Sequence, residues 1–265
     1  MRWRADEVDE FGFDPVFAGA ASPLLEFLFE RYWRIEVTGL EHLPRAGRVV
    51  LVSNHAGMLP WDGLMLRLAA ARAGREDLRF LVEDFFCHAP FLGASLMRLG
   101  GVRACQDNAL RLLEQERALA VFPEGARGAT KLFRDRYRLQ RFGRGGFVKL
   151  AERAGAPILP VAMVGPEEIH PVLANLGWLA RQVGLGFFPL TPTFPWLGPL
   201  GLLPLPSKWL IRFGPLLDTG ARQAETPPPE ADLAEQVRAS IQAMLDELRA
   251  ARGHPYLGPE SPPAS

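Results

Sequence analysis

Hydrophobic positions along the chain fall into short unbroken runs separated by segments of mixed polarity. Val49-Val50-Leu51-Val52 is a continuous, mostly β-branched run, the pattern of a strand covered on both faces, and it predicts a parallel sheet. Phe80-Leu81-Val82 and Ala118-Leu119-Ala120-Val121-Phe122 repeat that pattern. Between them lie helix-forming segments: one opened by Asp62 and carrying Leu64, Leu66, Leu68 and alanines up to Arg72, another over 107–116. A helix near 145–154 leads to Ile158-Leu159-Pro160-Val161-Ala162-Met163, a strand that Pro160 should confine to an edge or a strand end, because proline removes a ladder donor. Ile35-Glu36-Val37 reads as an edge strand and Ile211-Arg212-Phe213 as the last one. The alternation predicts an α/β fold: a single domain with a mostly parallel central sheet flanked by helices.

Three further segments frame this body. Residues 23–33 form a helical stretch with more large apolar residues than one buried stripe needs, open to core docking or to membrane contact. The 26 residues from 182 to 207 carry no formal charge, but six prolines rule out a spanning helix. They read as an apolar, Pro-rich, membrane-facing excursion, or as a cover for the protein's own core or an internal tunnel. Leu233, Val237, Ile241, Met244, Leu245 and Leu248 form a stripe on a helix over 230–251 that should pack on the body. The expected organisation is an N-terminal helical segment 1–34, a main domain 35–252 that includes the excursion and the C-terminal helix, and a flexible tail 253–265.

Composition narrows the function. Thirty basic and thirty acidic residues cancel, so wholesale nucleic-acid binding is not expected. Cys87 and Cys105 are the only cysteines and lack C-x-x-C spacing, which favours a reducing compartment and no zinc site. The N-terminus lacks the basic-then-apolar order of a signal peptide, giving the expectation of a chain that stays in the cytoplasm.

Candidate chemistry sits where buried strands end, the rim at which open α/β sheets bind ligands. His55, in Ser53-Asn54-His55, is followed by Asp62; an imidazole oriented by a carboxylate is a general base, although His55 could equally bond a loop and Asp62 cap a helix. Phe122-Pro123-Glu124-Gly125-Ala126-Arg127 follows the next buried strand. Arg127 offers a fork for phosphate and Glu124 could orient it, the alternative being a plain turn with a surface ion pair. From Arg127 to Lys149 eight basic residues face the single Asp135, which makes Lys131 and Arg134 candidates for a phosphate or headgroup, or members of a solvated face. No serine has a nucleophile-elbow context, and neither a P-loop nor a dinucleotide fingerprint is present.

Taken in order, Asn54-His55 with Asp62, Gly101-Val102-Arg103, Phe122 to Arg127, and Ala156-Pro157-Ile158-Leu159-Pro160-Val161 resemble the four blocks of the glycerolipid acyltransferase family typified by 1-acylglycerol-3-phosphate acyltransferases. The resemblance implies His55 as general base with Asp62 as its partner. It also implies Arg103, Glu124, Gly125 and Arg127 as acceptor-binding positions. The co-substrates would be acyl-CoA or acyl carrier protein and a lysolipid acceptor, with no cofactor or metal, at the cytoplasmic face of a membrane. Two departures stand out. Six residues separate His55 from Asp62 where the family has four, and Ala126 replaces a hydroxyl residue. Both bear on the acceptor, leaving open diacylglycerol, another lysolipid, a long-chain alcohol, or a silent lipid-binding homologue.

Overall fold

The computed structural model describes residues 8–55, 57, 59–125, 128, 130–140, 142, 145–182, 187–217, 219 and 230–256. The strands are β1 (Glu36–Thr38), β2 (Val49–Ser53), β3 (Arg79–Val82), β4 (Gly101–Arg103), β5 (Ala118–Val121), β6 (Ile158–Val164), β7 (Ala174–Asn175), β8 (Pro189–Leu190) and β9 (Leu210–Phe213). The helices are α1 (Pro15–Phe27), α2 (Trp61–Arg72), α3 (Asp84–Cys87), α4 (Leu92–Arg98), α5 (Gln106–Glu114), α6 (Gly146–Ala154), α7 (Gly177–Gln182) and α8 (Glu230–Ala251). Seven strands form one sheet in the order β1-β9-β6-β2-β5-β3-β4, and β7 and β8 make a separate small ribbon. All pairings in the large sheet are parallel except β6 with β9.

The run at 49–52 does what its composition predicts. Val49 and Leu51 point into a core shared with α2, Trp33 and Phe80, while Val50 and Val52 point into a second core with α5, α6 and α8. That division follows from the two-residue period of a strand. The stripe on α8 buries Val237, Ile241, Met244, Leu245 and Leu248 in the second core.

Pro160 overturns one expectation. β6 is an interior strand, paired with β2 on one side and β9 on the other. The proline is tolerated because the β9 ladder ends there: the register runs from Val164 opposite Leu210 to Val161 opposite Phe213, and beyond it Gly214 N–H donates to the Pro160 carbonyl at 2.8 Å. The missing N–H therefore falls at the end of the ladder.

The helical stretch expected at 23–33 begins earlier. Asp14 caps α1 by accepting the Phe17 N–H at 2.9 Å, and the helix continues as a single π-turn over Leu28–Tyr32. Tyr32 Oη then donates to the Pro204 carbonyl at 2.7 Å and Trp33 Nε1 to the Leu205 carbonyl at 3.1 Å, tying this segment to the end of the apolar excursion. Trp33 stacks on Trp209 at 4.7 Å between ring centroids and meets Trp61 edge-on at 5.4 Å, so the N-terminal segment also buttresses the start of α2. Among the described residues no helix is long and apolar enough to cross a membrane.

Candidate active site

Because β2, β3, β4 and β5 run parallel, the loops after them emerge on one rim. His55 lies two residues beyond β2, Glu83 directly after β3, and Pro123 to Gly125 beyond β5. Asn54 anchors the first loop: its amide accepts the Met163 N–H at 2.8 Å and donates to the Met163 carbonyl at 2.9 Å, joining the end of β2 to β6. His55 follows with its backbone direction already set.

The longer spacing between His55 and Asp62 does not separate them. His55 Nδ1 lies 2.6 Å from Asp62 Oδ2, and Asp62 is fully buried in the first turn of α2. Within the intervening loop Gly57 takes a φ of +95°, and Pro60 stands at the helix cap. Asp62 reaches the histidine because α2 lies tight on the sheet: a Cβ at Gly63 would sit 2.5 Å from the Phe80 ring. With Nδ1 taken by the carboxylate, Nε2 is left for a substrate proton. Burial disfavours the imidazolium, but the charge and hydrogen bond of Asp62, with Glu83 and Glu124 behind them, outweigh it and raise the His55 pKa above its ordinary value.

The rim opens on a cavity of about 470 Å³. His55, Asp62, Phe86, Phe122, Phe147 and Leu150 are among the residues that line it, with Ala109 deeper on α5. Its walls are predominantly apolar side chains, and its volume lies within the range of about 300–1,000 Å³ typical of small-molecule sites. Cys105, exposed at the start of α5, and Glu83 also border it; neither carries a motif that sequence reasoning could single out.

The other expected positions fare differently. Glu124 is buried and turned inward: Oε1 accepts the His55 N–H at 3.0 Å and Oε2 the Gln140 N–H at 2.7 Å. Both oxygens thus bond the protein backbone, and Glu124 holds the His55 loop. Lys131, expected on a basic surface, is instead buried between Glu124 and Glu167. Arg103 is exposed at the end of β4 and forms a two-pronged pair with Asp84, while Arg134 is exposed with Asp135 at 3.6 Å. Gly125 lines the cavity with a φ of +54°, a conformation that favours glycine. Arg127, Arg141 and Arg144 lie outside the described residues.

A family model described as "Acyltransferase" matches residues 34–164, the span that carries the dyad, the β5 loop and β6. The chain is 48% identical over 257 residues to "Uncharacterized protein Rv0502" of Mycobacterium tuberculosis, covering 95% of this chain and 72% of that one. This protein belongs to the acyltransferase family. A 1-acyl-sn-glycerol-3-phosphate acyltransferase of Borreliella burgdorferi is 25% identical over 159 residues, covering 54% of this chain and 57% of that one. The crystal structure of PlsC, the 1-acyl-sn-glycerophosphate acyltransferase of Thermotoga maritima, superposes with a TM-score of 0.58 over 91% of this chain and 81% of that one, at 18% identity. The acyltransferase described here therefore shares the PlsC fold and is an O-acyltransferase.

Proposed function

We propose that this acyltransferase moves a fatty acyl chain from acyl-CoA or acyl carrier protein to the free hydroxyl of a lysophospholipid, with 1-acylglycerol 3-phosphate as the leading acceptor. The observation that carries the reading is the His55–Asp62 pair opening directly on an apolar cavity. His55 Nε2 takes the proton of the acceptor hydroxyl as its oxygen attacks the thioester carbonyl. Asp62 holds the tautomer and stabilises the imidazolium, which returns the proton to the departing thiolate. The acyl chain occupies the cavity while the polar ends of donor and acceptor remain at its mouth.

Such substrates reside in membranes, and the exposed apolar side chains suit a peripheral position on the cytoplasmic face. Leu24 and Phe27 on α1 are exposed, as are Trp196, Leu197, Leu200 and Leu203 on the excursion tied to it. Full burial of a large apolar side chain is worth about 1.5–3 kcal/mol, so partial insertion of several would hold the protein at a bilayer.

The deciding experiment measures transfer of labelled palmitoyl groups from palmitoyl-CoA and palmitoyl carrier protein in liposomes containing lysophosphatidate, other lysophospholipids, diacylglycerol or a long-chain alcohol. Transfer to lysophosphatidate above the others supports the reading; transfer confined to a neutral acceptor replaces it. Flotation of the protein with the same liposomes reports membrane binding. The cavity assignment has its own test. Ala109→Trp should cut kcat/KM for palmitoyl-CoA more than tenfold while sparing octanoyl-CoA, since each methylene denied burial costs about 0.8 kcal/mol. An unchanged chain-length profile would place the acyl chain elsewhere.

A further inference from the structure

Behind the catalytic loop lies a set of buried charges that proton transfer by His55 and Asp62 does not use. Lys131 Nζ stands 3.1 Å from Glu124 Oε2 and 3.0 Å from Glu167 Oε1, with all three side chains 5% exposed or less. Glu124 accepts the His55 N–H, and Glu167 Oε2 accepts the Tyr137 N–H at 2.7 Å. None of the three lines the acyl cavity. Removing three charges from water is costly unless each is paired, and a loop that needed only to turn would be served by apolar residues. The charges instead form a chain, from Glu167 through Lys131 to Glu124, that ends on the backbone N–H of His55.

We propose that Lys131 and Glu167 are positioning residues for acyl transfer: they lock the Glu124 carboxylate beneath the His55 loop, and through it they fix where the imidazole sits and what charge it faces. Lys131 presents its ammonium to both carboxylates, so Glu124 cannot swing away from the histidine without breaking the pair. Glu167 comes from the segment directly after β6, so the same contact fastens the β5 loop to the strand that Asn54 already joins to β2. Burial drives the Lys131 ammonium down, but the two carboxylates outweigh it and keep it charged. A second layer continues outward. Tyr137 Oη donates to Glu168 Oε1 at 2.7 Å and accepts the Gly165 N–H at 3.0 Å, while Arg252 pairs with the same Glu168 oxygen.

The groups facing His55 are Asp62 from α2, Glu83 from the end of β3 and Glu124 from the β5 loop, with the Phe122 ring 5.0 Å away. Among the described residues, Lys131 is the cation paired with Glu124. Deleting it leaves a more negative surrounding and should raise the pH at which His55 titrates. Deleting the Glu167 charge leaves Lys131 to Glu124 alone and should lower it. A role confined to stability moves neither in opposite directions.

This inference rests on His55 being the base, and the test separates the two claims. The full chain, labelled at histidine ¹³Cε1, would be titrated by NMR as wild type, Lys131→Met, Glu167→Gln and the double variant, with the His55 signal assigned by its loss in His55→Ala. Opposite shifts of about half a pH unit or more in the single variants, with the double returning towards wild type, are expected for a unit charge at this range in a partly screened interior. The acidic limb of kcat/KM, measured with palmitoyl-CoA and lysophosphatidate, should follow the same order, with kcat down tenfold or more in each single variant and KM within about twofold. If Lys131→Met does not fold, the downward shift in Glu167→Gln and its cancellation in the double variant still decide. Titration of His55 at one pH in all folded variants, or shifts of both single variants in the same direction, would overturn the proposal. Shifts seen without any transfer by wild type would leave it standing and count against the substrate reading.

Discussion

Replacing His55 with alanine should lower kcat by about 10²–10⁴, the range set by losing a general base, and should also lower thermal stability, because the buried Asp62 carboxylate loses its histidine partner. The residue is buried beside the cavity, and its ring bonds Asp62 at 2.6 Å. Asp62→Asn should cost as much or more: in a serine hydrolase triad the corresponding exchange lowers kcat by about 10⁴ because the amide favours the wrong tautomer. The pH profile distinguishes the two roles. Asp62 raises the His55 pKa, so wild-type kcat/KM should climb with pH through a value above the ordinary 6.5 and be lost below it. Asp62→Asn removes that charge, so the residual activity should have its acidic limb at lower pH. A limb that stays in place would show that another group is titrating. Stopped acyl transfer with labelled palmitoyl-CoA over pH 5–9 gives both readings.

The second large effect is expected from a single methyl group. A Cβ at Gly128 would stand 2.6 Å from Glu124 Cβ, 3.0 Å from His55 Cβ and 3.1 Å from the His55 carbonyl. These are atoms at or beside the backbone, so the strain cannot be relieved by swinging the end of a flexible side chain. Gly128→Ala should therefore push apart the two loops whose contact is the His55 N–H bond to Glu124. Displacement of a catalytic group by about 1 Å can cost around 10²-fold in rate, and that is the expected loss in kcat, with KM for the acyl donor much less affected. Gly19→Ala is the matched control: the site lies on α1 with nothing within 4 Å of the added carbon, and exchange of glycine for alanine in a helix stabilises by about 1 kcal/mol. Full activity in Gly128→Ala would mean that the β5 loop tolerates more movement than its packing indicates.

The long gap between His55 and Asp62 does not keep their side chains from meeting. The proposed proton transfer needs Nδ1 held by a carboxylate, and 2.6 Å meets that requirement whatever the number of residues between them. The additional residues are taken up by a loop that includes Gly57 and Pro60, while Trp61 locks the start of α2 against Trp33. The N-terminal segment thereby contributes to the placement of Asp62.

Much of this was legible in the linear chain because local pattern and strand burial have short-range causes. An unbroken apolar run such as 49–52 has no face to offer water, so it demanded cover on both sides and with it a parallel sheet. Once β2 and β5 are parallel, the residues after them must emerge on one rim, and His55 and Glu124 were marked by that position alone. The tertiary structure decided what depended on partners distant in sequence. Lys131 looked like part of a basic surface, and only its meeting with Glu167, brought over by β6, shows the charge turned inward. Pro160 looked like an edge residue, and only the length of β9 shows where its missing donor does no harm. Glu124 looked like a ligand for substrate, and only the fold shows its two oxygens accepting the backbone N–H groups of His55 and Gln140. Hydrophobic periodicity is written residue by residue, whereas the partner of a buried charge is chosen by the fold, because a charge taken out of water must find its counterpart wherever packing brings one.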